Sequence, residues 1–147
     1  MATTQFKNDY AGWLQESARL LREGRLSELN LEGVAEELEA MGRSQKRELI
    51  TRFAVLIAHL LKWQYQPEKR SKSWERTIRI QRLDIGELLE ESPSLRHQIE
   101  EKIDRAYEKG RVFAESETGI DFHRFPESCP YSMGQLLDEQ FFPESEK

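Results

Sequence analysis

Cysteine, proline, histidine and any strand-like alternation are scarce or missing in this chain, and each shortage excludes something. Cys129 is the only cysteine. An intramolecular disulfide is therefore impossible, which suits a reducing compartment and a cytoplasmic protein. No run of alternating apolar and polar residues is long enough for a β-strand, and internal repeats and low-complexity segments are absent. The longest apolar stretch, residues 53–61, is broken by His59 and followed by Lys62, well short of the ~20 residues a membrane span requires. The first nine residues are polar, so no secretory leader is expected. No phosphate-binding loop, dinucleotide fingerprint or nucleophile elbow occurs, so neither a cofactor nor a small-molecule substrate is evident. A net charge of −5 disfavours a general nucleic-acid coat protein, without bearing on local patches.

What is present is helical. The chain is one ordinary domain in length, 147 residues, and is read as a single unit over 1–147. Five prolines and eight glycines sit mostly where helices should end. Asn8 or Asp9 can cap a first helix, with Tyr10, Trp13, Leu14, Ser17 and Leu21 on one face and Gly24 as its stop. Asn30 can cap a second. There Leu31, Val34, Ala35, Leu38 and Met41 form an apolar stripe, Glu36, Glu37 and Glu39 turn outward, and Gly42 ends or bends the helix.

Ser44 opens a third, longer helix to about Gln66, before Pro67. Its apolar residues, from Leu49 to Tyr65, cover roughly 200° of arc, the mark of a central helix contacted on several sides. A fourth begins at Ser73, with Trp74, Ile78, Gln81, Ile85, Leu88 and Leu89 inward and arginines outward. Ser92 and Pro93 break the chain. Ser94 caps a fifth helix bearing Leu95, Ile99, Ile103, Ala106, Gly110, Phe113 and Glu117 at heptad-like spacing, closed by Gly119. Residues 119–147 read as an irregular strap containing a short helix capped by Ser132, with Phe141 and Phe142 pinning the tail. The fold expected is an all-α bundle of about five main helices around the central one.

Four constellations could carry function. From Lys62 to Arg82 the chain holds Lys62, Lys69, Arg70, Lys72, Arg76, Arg79 and Arg82 against Glu68 and Glu75, with Trp63, Tyr65 and Trp74 interleaved. Basic side chains attract phosphate and aromatic faces stack on bases, so Lys69, Arg70, Lys72, Arg76, Arg79 and Arg82 are candidates for anion or nucleic-acid binding. The alternative is a solvated face beside core tryptophans. Glu36, Glu37 and Glu39, with Glu32 one turn earlier, form an acidic cluster that could face a basic partner; carboxylate chemistry or cation binding there is a remoter reading. His59 falls on the polar arc of its helix with Arg52, Val55, Lys62 and Gln66. None of His59, His97 and His123 has glutamate three residues before it, so no metal site is expected. Cys129, between Ser128 and Pro130, reads as an ordinary thiol.

Several segments carry a family resemblance: WLQESARLLREGRLSELNLEGVAEELEAMGRSQKREL at 13–49, HLLKWQYQPEKRSKSW at 59–74, IRIQR at 78–82, SPSL at 92–95 and FPESCPYSMGQLLDEQFFPE at 125–144. Together they resemble a bacterial family known as domain of unknown function 29. The resemblance implies an all-helical bacterial protein of a kind common in cyanobacteria and proteobacteria. It brings no assigned activity and no functional residues. The residues themselves favour a non-enzymatic interaction module that binds another protein or itself. Nucleic-acid or polyanion binding through Lys62 to Arg82 is the alternative, and a carboxylate-dependent enzyme the third reading.

Overall fold

The computed structural model describes residues 8–145 and is all-α among them: α1 (Tyr10–Arg22), α2 (Leu31–Tyr65), α3 (Lys72–Glu91), α4 (Ser94–Thr118) and α5 (Met133–Leu137). Single 3-10 turns lie at Leu26–Glu28, Pro67–Lys69 and Phe122–Arg124. Among the described residues, no helix is long and apolar enough to cross a membrane. Two compact units are resolved, Met1–Gln45 and Lys46–Lys147, and α2 supplies residues to both.

In the first unit the caps fall where local chemistry puts them. The Asp9 side chain accepts from the Gly12 N–H at 3.0 Å. Past the end of α1, Gly24 takes the left-handed φ of 71° that closes a helix at little cost. Asn30 accepts from the Gly33 N–H at 3.0 Å and opens α2. The buried face of α1 is Trp13, Ser17 and Leu20, an i, i+4, i+7 stripe, whereas Tyr10, Leu14 and Leu21 of the expected face are exposed.

Two expectations for α2 need correction. Gly42 does not end the helix, and Ser44 caps nothing, because 35 residues run unbroken from Leu31 to Tyr65. Glu, Ala, Met, Arg, Gln and Lys crowd this stretch and are strong helix formers; one interior glycine, worth about 1 kcal/mol, does not overturn them. The apolar stripe at its start is also not core. Leu31, Leu38 and Met41 are 59%, 63% and 59% exposed.

The second unit is the bundle. Leu49, Phe53, Ala54, Leu56, Ile57, Ala58, Leu60 and Leu61 are almost wholly buried, so this part of α2 is the central helix its broad apolar arc implied. Around it cluster Ile78 and Ile85 of α3, Leu95, Ile99, Ala106, Tyr107 and Ala114 of α4, and Phe125, Tyr131 and Leu136 of the strap. The cap of α3 is Ser71, not Ser73: its hydroxyl accepts from the Trp74 N–H at 3.2 Å. Pro93 occupies the N-cap position of α4 with no side-chain bond, leaving Ser94 as its first helical residue. Further along α4, the stripe drifts away from the heptad expectation. Ala114 is buried while Phe113 is 38% exposed, because a straight helix turns every 3.6 residues and slips against a 3.5-residue repeat.

The strap is fastened at several points. The Tyr107 hydroxyl donates to the Pro126 carbonyl at 2.5 Å and the Tyr131 hydroxyl to Oε1 of Gln64 at 2.8 Å. Ser132 and Gln135 form a reciprocal capping box at the start of α5. The Phe142 ring lies 4.8 Å from that of Trp63, and Phe141 meets Tyr131 edge-on at 5.9 Å, as expected for a pinned tail. Gly110 permits the close approach of α4 to α2. A Cβ there would stand 2.9 Å from Cγ2 of Ile57 and 3.1 Å from the Ala54 carbonyl oxygen. Gly110→Ala is therefore expected to destabilise the fold by about 1–3 kcal/mol through overpacking, against a gain in any exposed helix. Urea unfolding followed by circular dichroism will show it as a lower midpoint at unchanged slope.

Candidate functional site

The basic stretch divides into inner and outer residues. Lys62, Arg70 and Arg82 are inner. The Lys62 ammonium, its side chain 9% exposed, pairs with Oε2 of Glu117 at 2.8 Å and sits 4.7 Å from the centre of the Trp74 ring. It was expected on a polar arc; its stem instead lies among apolar neighbours while its head finds one carboxylate and one aromatic face. Arg70 donates through Nε to the Trp63 carbonyl at 2.8 Å and lies over the Trp63 ring at 4.8 Å, satisfying a carbonyl that the end of α2 leaves open.

Arg82 departs most from expectation, pointing inward rather than outward with the other arginines. Its guanidinium donates to the carbonyls of Leu136 at 2.8 Å, Phe141 at 2.9 Å and Gln135 at 3.1 Å. Burial lowers its pKa, while Asp138 and Glu139 nearby act in the opposite sense. A signal was available for it: Ile78, Arg82 and Ile85 stand at i, i+4 and i+7, on the buried stripe. No local signal flags the partner of Lys62, which lies 55 residues away.

Lys69, Lys72, Arg76 and Arg79 are the outer residues, all exposed. The cation–ring contacts of the two tryptophans engage inner residues. Trp63 is half-buried between Arg70 and Phe142, and Trp74 carries Lys62 on its face.

The acidic cluster divides too. Glu37 turns toward α1 and accepts a hydrogen bond from the Tyr10 hydroxyl, which raises the phenol's pKa. Glu36 and Glu39 are exposed beside the open Leu31, Leu38 and Met41 stripe. Among the described residues, no group of three or more His, Cys, Asp and Glu side chains comes close enough to hold a metal ion.

A family model described as "Domain of unknown function DUF29" matches residues 5–142. The chain belongs to this family. No curated protein and no solved structure matches it.

In this DUF29 chain the remaining reactive groups are tied into the fold. Burial pushes the Cys129 thiol up, and its Sγ lies 3.4 Å from the Tyr131 carbonyl, so thiolate is disfavoured. Burial likewise raises the phenols of Tyr107 and Tyr131. A cleft of 450 Å³ is lined by Arg82, Leu89, Glu90, Arg96, Leu137 and Glu139, and a second of 290 Å³ by Glu75, Arg79, Leu83, Glu139 and Phe142 among others. Both open beside the Arg82 clamp.

His59 donates from Nδ1 to the Val55 carbonyl at 2.9 Å. Burial, aided by Lys62, lowers its pKa below the ordinary 6.5; the Val55 bond and Glu117 act the other way without cancelling the shift. Protonation is thus harder in the folded than in the unfolded chain. The stability this confers is complete above pH 6.5 and is lost as the pH falls toward the lowered value. Thermal unfolding between about pH 5 and pH 7 should show a falling melting temperature on the acid side, and His59→Gln should flatten that slope.

Two substitutions separate the inner cations from the outer ones. Arg82→Met leaves three carbonyls without their donor and is expected to cost roughly 3 kcal/mol, with faster proteolysis of residues 125–145. Arg79→Met, at an exposed site, should change stability by less than about 0.5 kcal/mol. Equal losses from both would show that Arg82 is not the fastener of the strap.

Proposed function

We propose that this protein is a non-enzymatic interaction module that engages another protein chain through the first part of α2. The observation that carries the reading is the open apolar stripe. Leu31, Leu38 and Met41 recur at helical spacing and stand more than half exposed, on a stretch that also bears Glu32, Glu36 and Glu39. A helix with a regular apolar face and no cover loses the free energy that burial of that face provides, about 25 cal/mol per Å² of apolar area. Contiguous exposed apolar surface rimmed by polar residues is characteristic of protein-interaction sites. Support also comes from the reactive side chains of the second unit, where Cys129, Tyr107 and Tyr131 are each shifted away from their nucleophilic form.

The test is affinity capture of the tagged full-length protein from its own cells, comparing wild type with Leu38→Asp and Met41→Asp. Both positions are exposed, so folding should survive, and circular dichroism checks that it does. The reading expects a companion protein bound at stoichiometric level by wild type and reduced at least about tenfold by either change. Companions retained equally by all three proteins would count against this face.

A further inference from the structure

Two exposed amphipathic faces of opposite charge occur in the same chain. The first lies on α2. At 100° per residue, Leu31, Val34, Leu38 and Met41 fall within a stripe about 80° wide, with Glu39, Glu32 and Glu36 ranged along one side of it. From Leu31 to Gly42 the helix has glutamate at 32, 36, 37 and 39 and no basic residue. The second lies on α3. Lys72, Arg76, Arg79, Ile80 and Leu83 fall within an arc of about 100°. All are exposed, Ile80 and Leu83 to 49% and 50%.

Among the described residues, Glu32, Glu36 and Glu39 make no ion pair, and nor do Lys72, Arg76 and Arg79; the pairs found for α2 and α3 engage Arg52, Glu48, Asp84 and Lys62 instead. An apolar stripe edged with carboxylates and an apolar stripe edged with guanidinium and ammonium groups are complementary in both hydropathy and charge. Such a match steers association and fixes register, while two like faces would repel.

We propose that the occupant of the α2 face is a second copy of this chain, docked through its α3 face. Leu31, Leu38 and Met41 of one copy meet Ile80 and Leu83 of the other. Glu32, Glu36 and Glu39 meet Lys72, Arg76 and Arg79. The contact joins two different patches: made reciprocally it gives an isologous pair, and made head to tail it is heterologous and continues into a ring or a larger assembly. It rests on the reading of the Leu38 face as an interaction surface and specifies what that surface binds.

Sedimentation of the purified full-length protein over a concentration series, at about 50 mM and about 500 mM salt, tests it. Wild type should associate with rising concentration and dissociate at the higher salt. Glu36→Arg with Glu39→Arg in one protein, and Arg76→Glu with Arg79→Glu in another, should each weaken self-association at least tenfold, by about 1.4 kcal/mol. Mixing the two variants should restore it, since each then presents the charge the other lacks. A wild type that stays monomeric throughout, or variants that associate like wild type alone and mixed, overturns the proposal. Leu38→Asp distinguishes the failures. If wild type is monomeric but loses a cellular companion on that change, self-pairing is wrong and the interaction surface stands. If the change affects neither, both fall. Salt-reversible binding of a nucleic-acid oligonucleotide to the α3 face, lost in Arg76→Glu with Arg79→Glu while wild type remains monomeric, also overturns self-pairing and assigns that face to a polyanion.

Discussion

The bundle depends on one stretch of helix being dry over more than half of its circumference. Between Leu49 and Leu61, α2 presents apolar residues around most of its circumference, and eight of them are at most 1% exposed. No single neighbour can cover so wide an arc. Two long helices and an extended strap are therefore drawn onto it, and the chain beyond α4, with little regular structure of its own, becomes a wall of the core through Phe125, Tyr131 and Leu136. The close passage at Gly110 follows from the same demand, since a broad face is sealed only where backbones can approach.

Covering the helix with a strap creates a second requirement, because irregular backbone brings unpaired carbonyls into the protein. Arg82 meets it. Its planar, multi-donor guanidinium reaches three carbonyls, two of them at the end of α5, where a cation also complements the helix dipole. Arg111 plays a related part at the preceding turn. It is stacked 3.7 Å above the Phe122 ring and donates to the Phe122 carbonyl at 3.2 Å. Lys62, by contrast, ties helix to helix, through the Glu117 carboxylate and the Trp74 ring. Buried cations here act as fasteners, so the positive charge of the Lys62 to Arg82 stretch is only partly surface charge.

The first unit follows the opposite logic. Its helix α2 is regular and amphipathic, yet the stripe that would ordinarily be core is open to solvent. Glu32, Glu36 and Glu39 stand exposed beside it. Exposed basic and apolar residues also occur side by side on α3, at Lys72, Arg76, Arg79, Ile80 and Leu83.

Helical class, the breaks at Gly24, Pro67, Ser92–Pro93 and Gly119, the caps at Asp9, Asn30 and Ser132, and the central role of residues 49–61 were legible from the sequence. Each depends on interactions within a few residues or on the width of an apolar arc, and both are local. The fusion at Gly42 and the cap at Ser71 rather than Ser73 were not legible, because one glycine or one of two nearby serines differs from its alternative by about 1 kcal/mol. Tertiary structure alone decided which charges are inside. Arg82 and Arg79 are three residues apart and chemically identical, but one meets the strap and the other meets water. Whether an amphipathic stripe is core or open to solvent was likewise undecided by its pattern, since periodicity shows that a face seeks burial and not what buries it.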